Sequence, residues 1–147
     1  ETDNPHKARL IERSIWNVWL YSKSPTLELL MGRVVNAMGK QKFGEALELL
    51  NTVVTIAPKY AEGWNKRATV YYLLGQFQAS IADVERTLDL EPRHFGALSG
   101  LGLIYNRLNR EAPALDAFER ALTVNPHLEQ AEAEVQRLRG KVKGKSI

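Results

Sequence analysis

The chain has no cysteine among its 147 residues, so disulfides and thiolate metal sites are excluded. That absence selects no compartment, because cysteine-free chains suit reducing and oxidising ones alike. Long apolar runs are also missing: nothing approaches the ~18 consecutive residues of a membrane span. Histidine is scarce, with three copies. His6, His94 and His127 form no HxxxH pair and no His–Asp cluster, whereas zinc needs three or four converging ligands. They read as loop histidines, and neither a metal nor a cofactor is expected. Strand-like alternation is absent. No basic-then-apolar leader opens the chain at Glu1, although a trimmed product could begin there.

Acidic charge is absent from the basic C-terminal end. The whole chain carries 20 Lys and Arg against 17 Asp and Glu, a net charge of +3. Arg137, Arg139, Lys141, Lys143 and Lys145 supply five of the cations with no acid among them, so residues 1–136 hold 15 cations against 17 acids, a balance of −2. The basic end reads as a solvated tail over 141–147. Without interleaved aromatics it makes no nucleic-acid-binding face.

What the sequence does have is a period. Pro58, Pro92 and Pro126 lie 34 residues apart. Each closes a pair of amphipathic helical segments. Residues 61–92 are the clearest copy, with the two segments meeting at Gly75-Gln76. Counterparts recur in phase: Tyr71 and Tyr105; Phe43 and Phe77; Ala46, Ser80 and Ala114; Leu50, Val84 and Phe118; Ile56, Leu90 and Val124. Small residues fall where helices must approach closely, and large apolar ones fill the spaces between. Gly39 is expected to end the first helix of the first copy. Asn109 replaces the turn glycine in the third and is expected to cap the next helix. Pro113 is tolerable in the first turn of that helix, whose N–H groups have no intrahelical partner.

Upstream, His6 to Tyr21 carries Ala8, Ile11, Ile15, Val18 and Trp19 on one helical face, with Leu10, Trp16 and Leu20 widening it. A repeat stack needs a cover over its open end. Each buried Trp would hide about 150–250 Å², a gross gain of about 4–6 kcal/mol as an upper bound. The expected organisation is therefore an N-terminal capping helix in 1–26, repeats at 27–60, 61–94 and 95–128, a capping helix at 129–140, and a disordered basic tail at 141–147. Acidic pairs such as Asp83 and Glu85 fall on second helices and read as a solvated face, not as an acid–base pair. No Ser/His/Asp arrangement assembles, and the glycines of GALSGLGLIY lack the strand and GK[ST] of a phosphate loop. No enzyme is expected.

These residues resemble the tetratricopeptide repeat, a 34-residue helix–turn–helix unit. The middle copy offers Trp64, Ala68, Tyr71, Gly75, Ser80, Thr87 and Pro92. The last offers Leu98, Leu101, Gly102, Tyr105, Ala114, Phe118, Ala121 and Pro126. The first offers Leu30, Val34, Ala37, Ala46, Leu50, Val53 and Pro58. Arg33 and Arg67 depart from the pattern by replacing an apolar residue; their stems can pack while the heads reach water or an acid. The resemblance implies an all-α, right-handed superhelical stack of three such units. It also implies a non-catalytic adaptor whose first helices line a groove for a peptide or helix of a protein partner. The groove positions carried over are Glu28, Met31, Val35 and Met38, then Glu62, Asn65, Thr69 and Tyr72, then Gly96, Ser99, Leu103 and Asn106.

The clamp with which some members grip the acidic C-terminus of heat-shock proteins is not expected. Its Lys, Asn, Asn, Lys and Arg positions hold Met31, Val35, Lys66, Gly96 and Gly100, of which only Lys66 is basic. The alternative reading is a structural module that self-associates through the Trp-bearing segment or the stack ends; the expected state is a monomer or weak homo-oligomer. Small bacterial members of similar layout weight the location toward the periplasm over the cytoplasm, provided an export signal preceded Glu1.

Overall fold

The computed structural model describes residues 24–145. The expected N-terminal helix with Trp16 and Trp19, together with His6, lies outside the described residues. Seven helices and no strand occur among the described residues: α1 (Pro25–Gly39), α2 (Phe43–Ile56), α3 (Ala61–Leu73), α4 (Phe77–Leu90), α5 (Phe95–Arg107), α6 (Glu111–Val124) and α7 (Glu129–Lys145). Each helix packs on the next, and α3 also touches α5. The result is a helical repeat stack of three hairpins, α1/α2, α3/α4 and α5/α6, closed by α7.

Local chemistry sets the helix ends. Ser24 caps α1 by accepting a hydrogen bond from the Leu27 N–H at 3.3 Å, and Pro25 takes a first-turn position where its missing N–H costs nothing. Each hairpin turn repeats one geometry. The Lys42, Gln76 and Arg110 N–H groups reach back five residues to the carbonyls of Ala37, Tyr71 and Tyr105. Gln41, Gly75 and Asn109, spaced by 34, hold φ of 58°, 77° and 58°. This is the Schellman ending, which needs one left-handed residue. The first-hairpin position is thus Gln41, two residues past Gly39. Asn109 is a helix-terminating residue and not the cap of α6, since Arg110 precedes that helix without a side-chain cap.

One repeat position shows how helix spacing is tuned. Val34 meets Leu50, Ala68 meets Val84, and Gly102 meets Phe118. The bulkiest second-helix residue of the three, Phe118, faces the smallest partner, Gly102. A Cβ on Gly102 would stand 2.6 Å from Phe118 Cζ.

Two expectations about charge are corrected. Asp83 is not on a solvated face; it is 3% exposed. Arg67 takes the acid its stem was expected to find, and Arg33 stays exposed because Leu49 stands where Asp83 stands one repeat later. Likewise the last helix does not stop at residue 140 before a disordered tail: α7 continues to Lys145. Cations near a helix C-terminus complement its dipole, and Arg139 and Lys141 lean on Glu119 and Glu111 of α6 at 3.2 and 3.9 Å. Those gains offset the ~1 kcal/mol cost of an interior glycine.

Candidate binding groove

The first helices of the hairpins, α1, α3 and α5, carry the sequence-expected site residues. Between α3 and α5 lies a cavity of about 250 Å³. Ala68, Tyr72, Leu73, Val84, Leu103 and Ile104 give it apolar walls, and Asn65 and Thr69 add polar groups. Gly96 and Gly100 open it, since a larger residue at either would fill the space from α5. Tyr72 is held by Phe77, with ring centroids 5.7 Å apart. The Thr69 hydroxyl donates to the Asn65 carbonyl at 3.1 Å. Among the described residues the Asn65 side-chain amide has no hydrogen-bond partner, so both its donor and its acceptor face outward needs.

A second cavity of about 450 Å³ continues toward α7, lined by Phe95, Ser99, Leu103, His127 and Gln130 among others. Gly96 and Leu103 border both spaces. The expected residues therefore divide. Asn65, Thr69, Tyr72 and Leu103 converge on the first cavity, and Ser99 joins Leu103 at the second. Met31 and Met38 are half-buried against Val34, Ala37 and Leu50, while Val35 is 58% exposed. None of these three lines either cavity. Asn106 is engaged elsewhere: its amide donates to Glu134 on α7 at 3.0 Å. Leu73, half exposed on the cavity wall, was not singled out from the sequence; it lies four residues after Thr69, which places it on the same helix face.

Glu62 and His94 join α3 to α5. The His94 ring contacts the Glu62 carboxylate at 2.6 Å through Nε2 and accepts the Ala97 N–H at 2.9 Å on Nδ1, capping α5. The contact with Glu62 raises the His94 pKa against the opposing effect of burial, and the same contact lowers that of Glu62. Nearby Glu91 is pushed up by burial. Arg137 pulls the Glu134 carboxyl down through their hydrogen bond at 2.6 Å. No group of three or more His, Asp or Glu side chains placed to hold a metal occurs among the described residues, and no helix there is long and apolar enough to cross a membrane.

The tetratricopeptide repeat profile matches residues 65–129. A TPR repeat-containing protein of Rhizobium etli is 37% identical over 141 residues, covering 96% of this chain and 69% of the relative. The chain belongs to the tetratricopeptide repeat family. Solved TPR structures share the fold. The Sgt2 TPR domain from Aspergillus fumigatus is 21% identical, with a TM-score of 0.77 over 84% of this chain and 83% of that one. The first TPR of Spaghetti (RPAP3), bound to the HSP90 peptide SRMEEVD, is 20% identical, with a TM-score of 0.75 over 78% and 91%. MamA is 20% identical, with a TM-score of 0.74 over 92% and 81%. This TPR chain thus has the fold of a protein-interaction scaffold, and its rhizobial relative matches the resemblance to bacterial members.

Proposed function

We propose that this TPR protein is a non-catalytic adaptor that holds a peptide or helix of a protein partner along α1, α3 and α5. The supporting observation is the cavity between α3 and α5, which offers apolar walls beside the unpartnered Asn65 amide. A bulky apolar side chain of the ligand enters this space, and Asn65 bonds the adjoining backbone. Met31, Val35 and Met38 extend an adaptable apolar wall toward the first repeat. Asn106 contributes through its tie to α7 and not as a ligand contact. The ligand is not an acidic heat-shock-type C-terminus, because Met31, Val35, Gly96 and Gly100 occupy clamp positions that need basic or amide groups.

Plugging the cavity tests this reading without disturbing the core. A Cβ added at Gly100 meets nothing within 4 Å. Gly100→Leu keeps the helix and fills the space. A photo-crosslinker placed at Thr69 should capture a partner from cells, and Gly100→Leu and Asn65→Ala should each abolish the capture. Capture that survives both changes refutes the groove as the site.

A further inference from the structure

The solvent-accessible residues that α3, α5 and α7 give to the two cavities occupy positions 1, 2, 5, 6, 9, 12 and 13 of their repeats, counting Ala61, Phe95 and Glu129 as first. These positions define the groove face. Charge on that face is sorted. Positions 1–6 of α1, α3, α5 and α7 hold Glu28, Glu62, Lys66, Glu129 and Glu134; positions 9–13 hold Arg107, Arg137 and Lys141 and no acid. Each connection is short and reverses the chain, so these four helices run the same way. The acids therefore line one rim of the groove and the cations the other.

Some of these charges are already engaged. Glu62 meets His94 with Lys66 nearby, Arg137 bonds Glu134, and Lys141 leans on Glu111. Glu28, Glu129 and Arg107 form no ion pair among the described residues. Glu129 borders the second cavity on the acidic rim, and the Arg107 guanidinium lies 5.9 Å from the Phe77 ring centroid on the basic one. Between the rims Leu73, Phe95 and Leu103 remain exposed on the cavity walls. The α5 helix separates the two cavities, so they stand about 10 Å apart, or about two turns of a docked helix.

An extended ligand fits this surface poorly. Its side chains point to and away from the floor, and its flanks carry bare N–H and C=O groups. The floor offers little for them: the Asn106 amide is held by Glu134, the Thr69 hydroxyl by the Asn65 carbonyl, and the Asn65 amide alone is spare among these three. A helix satisfies its own backbone except at its ends, where Asn65 can meet one terminal turn. It also sends side chains toward both rims.

We propose that the ligand is an amphipathic helix of a partner protein, laid across α3, α5 and α7, with apolar anchors at i and i+7 in the two cavities, cations along the flank facing the acidic rim and acids along the flank facing the basic rim. This rests on the α3–α5 cavity being a binding site. Turning such a helix end for end exchanges its flanks, so the rims also fix its direction.

The test is fluorescence anisotropy on the full chain with labelled synthetic helices of about 18 residues, all sharing one leucine stripe. One has a lysine flank and a glutamate flank, a second has lysine on both, and a third has glutamate on both. A fourth is the mixed peptide with a central proline, which breaks the helix. The mixed peptide should bind about tenfold tighter than either uniform one, since each of those sets like charges against one rim. The preference should fade with added salt. Proline should weaken binding by about tenfold or more. Glu129→Lys should shift the preference toward the glutamate-flanked peptide and Arg107→Glu toward the lysine-flanked one, with helical circular dichroism unchanged. Gly100→Leu should abolish all binding. Peptides that bind Gly100→Leu undiminished overturn the groove and this ligand together. Binding lost in Gly100→Leu but equal across the three flank patterns, or undiminished by proline, keeps the groove and overturns the charged helix. Absence of binding by every peptide overturns it as well, while capture at Thr69 reports on the groove separately.

Discussion

Arg67 grips Asp83 through two parallel hydrogen bonds, Nε to Oδ2 at 2.7 Å and Nη2 to Oδ1 at 2.9 Å, across the second hairpin. The third guanidinium nitrogen reaches Asn51 on α2 at 3.0 Å, and the plane lies 5.1 Å from the Trp64 ring centroid. One side chain therefore ties α2, α3 and α4. Arg86 adds a second cation 5.5 Å from the same indole, whose N–H donates to the Pro58 carbonyl. Trp64 is thus half-buried under two arginines.

Removing either partner leaves a buried charge without compensation. Asp83 is 4% exposed in its side chain, so Arg67→Leu should cost about 3–5 kcal/mol. The third repeat has already solved the same position with Leu101 and Ala117. The double change Arg67→Leu with Asp83→Ala copies that solution and should recover most of the loss. Urea unfolding of the two singles and the double completes the cycle. A double variant as unstable as the worse single would show that Asn51 and Trp64, and not Asp83, define the role of Arg67.

Gly102 is required by Phe118. Alanine ordinarily stabilises a helix interior by about 1 kcal/mol over glycine. Here its Cβ would stand 2.6–2.7 Å from three ring atoms of Phe118, so Gly102→Ala should instead destabilise by about 1–3 kcal/mol. Phe118→Leu should lose stability alone and less in the Gly102→Ala background. Thermal unfolding of the four proteins decides the sign.

Those two relationships also mark what the sequence could convey. The hairpins were legible because Pro58, Pro92 and Pro126 punctuate one period and the apolar residues follow it. The Gly102–Phe118 match was half legible: both were read as repeat residues, but their mutual fit depends on helix spacing. Asp83 was misread because an acid paired with Glu85 on a second helix looks solvated until its helix face is known. Asn106 was read as a groove amide because Glu134, 28 residues on, becomes its neighbour only when α7 docks. The groove residues of the first repeat were assigned by register alone, and register does not report that Met31 and Met38 turn half inward. The cavity between α3 and α5 was foreshadowed by Gly96 and Gly100, since missing side chains on a helix face leave room.

Gln41 carries strain that its repeat counterpart avoids. It holds φ of 58° where Gly75 holds 77°. A non-glycine residue in the left-handed region costs about 1–2 kcal/mol, partly offset by its smaller entropy loss on folding. Gln41→Gly should therefore stabilise by about 0.5–1 kcal/mol, and Gly75→Gln should destabilise by a similar amount. The shift in urea midpoint at unchanged slope measures both. Stabilisation absent at Gln41 would mean that the side chain makes compensating contacts.

The Glu62–His94 pair should make the α3–α5 junction pH-dependent, with a sign that follows from its two shifts. His94 has a raised pKa, so its contribution is complete below the unfolded value of about 6.5 and fades as pH rises through the folded one. Glu62 has a lowered pKa, so its contribution is complete above about 4.3 and is lost as pH falls through its folded value. Glu91 and Lys66 also face the pair: Glu91 favours the charged His94, and Lys66 favours the charged Glu62. The Ala97 N–H on Nδ1 opposes protonation of the ring, but it is a neutral bond against a charge-assisted contact of 2.6 Å. The pair should therefore stabilise most between about pH 4.3 and 6.5. Glu62 is 42% exposed, so screening holds the effect to under about 1 kcal/mol. Glu62→Gln should cost more at pH 5.5 than at pH 8.5 in urea unfolding, and should lower the His94 titration midpoint followed by NMR. A penalty that grows with pH would mean that the neutral His94 cap of α5, and not the ion pair, governs the junction.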